Sequence, residues 1–214
     1  MDAAKLKTQR ARGRPSLTEV DIVAGRAPIA GVAEALFRME GYAAVSMRRL
    51  AQEAGCAPMT LYAYFASKAD ILRQIWAQFF VELFGEMNRK AARVSGPRKR
   101  LLLISKRYVR YWLDHPDRYR MVFMTEGVSQ ADVGKFIGAG SVISHFAIFA
   151  ETLHAAGIKA ASLKLMSESL ICALNGIAHN HVTISEHEWE SAERLAETVV
   201  HAILALPGSL RGRK

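Results

Sequence analysis

The chain has 214 residues with 29 Lys/Arg against 20 Asp/Glu, a formal net charge of +9 that favours a polyanionic partner or an anionic membrane surface. Half of the residues are hydrophobic and only six are proline, so long helices are open to it and low-complexity disorder is not indicated. Cys56 and Cys172 are the two cysteines and no C-x-x-C occurs, which excludes a disulfide framework and a thiolate zinc site and makes a reducing, cytoplasmic setting the expectation. The opening MDAAKLKTQRARGRP carries positive charge without an apolar h-region, and no uncharged apolar run reaches the ~18 residues a membrane span needs.

The charge is unevenly spread. Residues 1–68 hold ten Lys/Arg against six Asp/Glu, residues 69–127 twelve against six, and residues 128–214 seven against eight. The last third is therefore expected to face protein, and the first two thirds an anion.

In chain order, residues 1–25 are expected to form a basic flexible arm. Its R-G-R-P, Arg12 to Pro15, resembles the core of the AT-hook, in which Arg-Gly-Arg lies in a narrow A·T-rich minor groove; that resemblance puts Arg12 and Arg14 on DNA, with a solvated basic tail as the alternative. Because proline costs about 3 kcal/mol in a helix interior, the first firm helix is expected near Arg26, with Pro28 in its opening turn, running to Glu40 and closed by Gly41.

Ser46 is suited to cap the next helix, on which Met47, Leu50, Ala51 and Ala54 form an apolar stripe opposite Arg48, Arg49, Gln52 and Glu53. Gly55 supplies a residue that takes positive φ past a helix end, and Pro58 fits the first turn of a second helix. There Pro58, Leu61 and Phe65 share one side, Met59, Thr60, Ala63 and Tyr64 the other, and Tyr62 the flank. Helix, short Gly-containing turn and helix make a helix-turn-helix, or else a plain αα-corner. Ser67, with Asp70 three residues on, caps a long connecting helix expected over 68–94.

Beyond Ser95-Gly96-Pro97 the periodicity predicts a basic helix over 98–114, a short one from Pro116, one long helix over 130–156 weakened by Gly134, Gly138 and Gly140, and two final helices over 160–182 and 188–206. The first of that last pair is apolar nearly all round, so it needs a second cover, which pairing with the same helices of another subunit supplies.

The run from Gly41 to Ile71, and above all Leu61 to Lys68 (LYAYFASK), resembles the DNA-binding domain of TetR/AcrR-family transcriptional regulators. The resemblance covers roughly residues 29–75. It implies an all-α chain: an N-terminal three-helix helix-turn-helix domain (26–70) joined by a long helix to a C-terminal helical-bundle domain (71–214) for effector binding and dimerisation. It further implies a homodimer joined through the two C-terminal helices, a double-stranded DNA operator, and a small-molecule effector that releases a repressor. By the same resemblance Arg48, Met59, Thr60, Tyr62, Tyr64 and Lys68 contact DNA. Residue chemistry adds roles: bases for Thr60 and Tyr64, which are expected to face outward, phosphates for Tyr62 and Lys68, and either for Arg48.

Tyr108, Tyr111, Trp112, Phe123, Phe146, Phe149, Met166 and Asn175 fall on the helices that would surround a bundle cavity, and they are the candidate effector-binding set. WLDHPDRYRMVF resembles one branch of the family's C-terminal domains, although Asn175-Gly176 stands where a His-Gly pair is expected. No metal and no cofactor is called for: His179 and His181 point about 200° apart on a helix, and H-E-x-x-H, G-x-G-x-x-G and G-x-S-x-G are absent. The alternatives are a DNA-binding regulator without an effector, its middle domain filled solid, and an enzyme on a helical scaffold, for which no motif speaks.

Overall fold

The computed structural model describes residues 19–138 and 141–206, and among these every regular element is an α-helix. In chain order they are α1 (Glu19–Glu40), α2 (Met47–Glu53), α3 (Pro58–Tyr64), α4 (Lys68–Ala91), α5 (Pro97–Asp114), α6 (Pro116–Phe123), α7 (Gln130–Gly138), α8 (Ser141–Ala155), α9 (Ala160–Thr183) and α10 (Ala192–Ala205). None is long and apolar enough to cross a membrane. The arm with Arg12 and Arg14 lies outside the described residues.

The local signals act as the chemistry requires. The Ser46 hydroxyl accepts from the Arg49 amide at 3.1 Å, and Ser67 accepts from the Asp70 amide at 3.2 Å, so each removes one orphan donor of a helix start. Gly55 takes φ +64° between α2 and α3, a conformation any L side chain would strain.

Two boundaries differ from expectation, those of α1 and α10. α1 starts at Glu19 and runs straight through Pro28, not from Arg26. The proline removes one donor, but Ile29, Ala30, Ala33, Leu36 and Phe37 that follow it are buried, and that tertiary packing outweighs the local penalty. The helix expected over 130–156 is described in two stretches, α7 to Gly138 and α8 from Ser141, with residues 139 and 140 outside the described residues. α7 lays Phe136 on Trp76 and Phe80, and α8 lays Phe146 and Phe149 on Phe84 and Tyr108. α10 begins at Ala192, capped by Ser191, and not at Glu188, because the Trp189 indole folds back to donate to the Ile184 carbonyl at 2.9 Å.

α4 joins the two ends of the molecule. Ile71, Leu72 and Ile75 pack beneath the helix-turn-helix, while Phe79, Phe80, Leu83, Phe84 and Met87 enter the bundle of α5, α8, α9 and α10, so the buried residues form one continuous core. At 1.5 Å per residue this 24-residue helix separates its two ends by about 36 Å.

Candidate nucleic-acid interface and regulatory core

Leu61 and Phe65 anchor α3, both with no exposed surface. At 100° per residue their mean direction leaves Met59 and Ala63 opposite the core, Thr60 close beside them, and Tyr62 and Tyr64 on the flanks. The observed exposures follow. Met59 is 79% exposed and Tyr62 50%; Ala63 and Arg48 are exposed; Thr60 and Tyr64 are half-buried.

The outer surface of α3 is thus centred on Met59 and Ala63, with Tyr62 beside them. Tyr64 is displaced from the expected outward position, since its ring leans on α1, where a Cβ on Gly25 would lie 2.7 Å from Cζ and 2.9 Å from the hydroxyl. The small size of Gly25 therefore sets where Tyr64 rests. Behind α3, Arg26 of α1 reaches both Asp70 carboxylate oxygens at 3.2 Å and lies 4.5 Å over the Phe65 ring, which fixes α1, α3 and α4 as one unit.

Lys68, expected to hold a phosphate, is engaged within the chain. Its ammonium donates to the carbonyls of Tyr42 (2.6 Å), Val45 (2.8 Å) and Ala43 (3.3 Å), which occupies all three N–H donors. Burial holds its pKa below the usual lysine value. The charge is spent on the α1–α2 loop, and no periodicity argument addresses such a tertiary contact.

In the bundle, Tyr108, Trp112, Phe146 and Phe149 come together as expected, joined by Phe80, Phe84 and Phe136, which the candidate set omitted. The apolar stripe of α4 could have supplied the first two. Tyr108 is fully buried and donates to Asn175 Oδ1 at 2.7 Å; burial pushes its phenol pKa upward. Trp112 is fully buried too, and its indole N–H faces the Tyr108 ring's hydroxyl without making a well-formed hydrogen bond. Met166 is buried, whereas Phe123 is 42% exposed at the margin, against Tyr119 and Trp112. These rings interdigitate at centroid separations of 4.9–6.5 Å and do not line an open chamber. The open spaces lie elsewhere, as in a cleft of about 330 Å³ between the end of α1 and α6 walled by Phe37, Tyr42 and Met121.

Tyr111 belongs to a different arrangement. Its hydroxyl accepts from Arg118 at 2.9 Å, and Arg118 of α6 also pairs with Glu82 of α4 at 2.9 Å and Glu34 of α1 at 3.8 Å while stacking 4.7 Å over Phe79. One guanidinium thus ties α1 to α4, α5 and α6. A second tie runs from Arg73 of α4 to Asp132 of α7 at 2.9 Å. Among the described residues no group of three or more His, Cys, Asp or Glu is placed to hold a metal ion.

Residues 29–75 match the family of bacterial regulatory proteins described as tetR. No curated protein matches. Solved structures with the same fold include the fatty acid degradation regulator FadR from Bacillus halodurans, at TM-score 0.67 and 16% identity over 88% of this chain and 97% of that one. The transcriptional regulator FadR from Bacillus subtilis, in complex with stearoyl-CoA, aligns at TM-score 0.68 and 15% identity over 83% of this chain and 97% of that one. PfmR from Thermus thermophilus aligns at TM-score 0.56 and 23% identity over 82% and 96%. The match to the tetR family model thus covers the helix-turn-helix segment at one end of the molecule, and over the rest of the chain the similarity to these regulators is one of fold.

Proposed function

We propose that the protein is a homodimeric repressor that holds a palindromic operator through α3 of each subunit and is released by a small molecule with an apolar body. The observation that carries the operator half is the exposed surface of α3. Met59 at 79% exposure, Ala63 and Thr60 present methyl and hydroxyl groups suited to base edges and thymine methyls, with Tyr62 and Arg48 placed beside them for phosphates. Tyr64 contributes from the flank. Pairing through α9 and α10 accounts for the exposed Leu165 and Leu206 and for the apolar groove between these helices walled by Ala173, Ile177 and Leu195.

The effector half rests on the unsatisfied indole N–H of Trp112 inside a ring cluster, since a buried donor without a partner costs about 1–3 kcal/mol that a ligand acceptor would recover. Entry requires the rings to part, and α7 is the cover that moves. Phe136 and, one turn earlier on the same face, Asp132 hold it to Trp76, Phe80 and Arg73 of α4. The structural relative from Bacillus subtilis binds stearoyl-CoA, so a long acyl chain is the first compound to try here.

The test is a titration of the duplex lying upstream of the protein's own gene. Tyr62→Ala and Arg48→Ala should each weaken binding roughly 10-fold, about 1.4 kcal/mol. Full affinity in both variants would refute the interface. Stearoyl-CoA should lower operator affinity and raise the melting temperature while CoA alone does neither; no response to any acyl compound would favour a regulator whose middle domain is filled solid.

A further inference from the structure

Residues 87–113 contain nine Lys/Arg and no Asp/Glu, and the fold sorts these cations into two groups. Four find carboxylates from elsewhere: Lys90 and Arg107 on Glu86, Lys106 on Glu197 at 2.7 Å, and Arg110 on Asp114 and Glu193 at 2.9 and 3.5 Å. The other five, Arg89, Arg93, Arg98, Lys99 and Arg100, make no ion pair among the described residues, and all lie around the turn between α4 and α5. Arg89, Arg93, Arg98 and Lys99 are exposed.

Their placement works against the helix that bears them. α5 starts at Pro97 after Gly96 without a side-chain cap or any acidic residue in its first turn, so Arg98, Lys99 and Arg100 crowd the positive end of an 18-residue helix whose first amides receive no side-chain acceptor. Like charges so arranged repel one another and the helix dipole, and an anion reverses the sign of both interactions. The turn lies at the far end of α4, about 36 Å from the recognition helix, so the operator held by α3 does not reach it.

We infer that this pole is a second, sequence-independent DNA-binding surface that takes the phosphate backbone of a duplex other than the operator. Four of the cations, Arg89, Arg93, Arg98 and Lys99, are exposed and spread over the end of α4, the turn and the start of α5, which fits a row of backbone phosphates better than a single small ligand, while Arg100 borders a cleft. No large apolar side chain is exposed between Val81 and Phe123, so the pole lacks the anchors that a lipid surface would engage. Arginine supplies four of the five charges and matches phosphate geometry bidentately. A regulator tethered to its operator also sits among neighbouring duplex at high local concentration. One carboxylate, Glu151 of α8, shares the cleft beside Arg100 and reduces the local excess without pairing.

The experiment uses the full chain in two arms. In the first, Arg48→Ala/Tyr62→Ala protein, whose α3 surface is disabled, is titrated with a 40-base-pair random duplex at several salt concentrations. The pole alone should still bind, with a slope near −3.6 for about four phosphates, and adding Arg89→Gln/Arg93→Gln/Arg98→Gln/Lys99→Gln should weaken binding more than 10-fold, whereas the Arg→Lys equivalents retain it. In the second, wild-type protein on a bead-bound promoter duplex should capture a labelled random duplex, and the glutamine variant should lose capture while holding the promoter unchanged. The first arm does not depend on operator recognition, so the two readings fail separately. Random-duplex binding that survives the four glutamines, or phosphatidylserine vesicles bound in preference to duplex, would overturn the inference.

Discussion

The Lys68 ammonium donates to the Tyr42 carbonyl at 2.6 Å and lies 4.3 Å from the centre of the Tyr42 ring. A residue placed at the start of α4, where a phosphate contact is expected, instead ties the loop between α1 and α2 to the helix that leads into the bundle. Phe37 packs edge-on against the same tyrosine at 5.1 Å, so the loop is held from both sides.

Lys68→Ala removes donors from three carbonyls at once. The expected result is a loss of about 2 kcal/mol in urea unfolding together with weaker binding to all duplexes alike, because the unit carrying α3 loosens. The salt slope should change little. A slope reduced by about 0.9 with stability intact would show instead that the ammonium leaves the carbonyls for a phosphate.

Gly25→Ala places a methyl group against the far end of the Tyr64 ring, which is free to swing. Thermal stability should change by less than about 1 kcal/mol, since alanine favours the helix and the tyrosine yields. Operator affinity should fall severalfold as Tyr64 is redirected, and the double variant Gly25→Ala/Tyr64→Ala should lose no more than Tyr64→Ala alone. An additive loss in that cycle would separate the two residues.

Arg118→Met keeps the side-chain stem over Phe79 but frees Glu34, Glu82 and the Tyr111 hydroxyl. We expect a loss of about 2 kcal/mol in unfolding free energy, and, because α1 is no longer tied to α6, a smaller difference in operator affinity between effector-bound and free protein. Free-protein affinity should stay within about twofold. Unaltered coupling would show that the joint transmits nothing.

Burial pushes the Tyr111 phenol up to about 12 in the fold against an ordinary value near 10. A group raised in this way contributes stability that is complete below pH 10 and is lost as pH rises through 12, because only the unfolded chain gives up the proton in that window. Unfolding free energy should decline from pH 10 to 12, and Tyr111→Phe should flatten part of that decline. The comparison is made by urea unfolding at pH 7, 10 and 11.5.

Much of the fold is legible because its rules are local. Ser46, Ser67, Gly41, Gly55 and Pro58 fix helix ends through hydrogen bonds and φ angles within four residues of themselves, so the helix-turn-helix and its flanks are written in the chain. The broad apolar stripe of α4 likewise announced a helix buried from end to end. Pro28 defeats the same logic: its local penalty is real, but the burial of Ile29 to Phe37 comes from α3 and α4, which periodicity in α1 does not register. Where a side chain rests follows the same rule. Helical spacing places Tyr64 within 100° of the outer face, and only the approach of Gly25 decides where its ring rests. Charge tells most plainly what each level determines. The sequence alone specifies nine cations between Met87 and Leu113, whereas the tertiary structure, by pairing Glu193 and Glu197 with α5 and bringing only Glu151, unpaired, near the α4–α5 turn, decides which of them remain to meet an anion, since Coulomb attraction depends on distance in space and not along the chain.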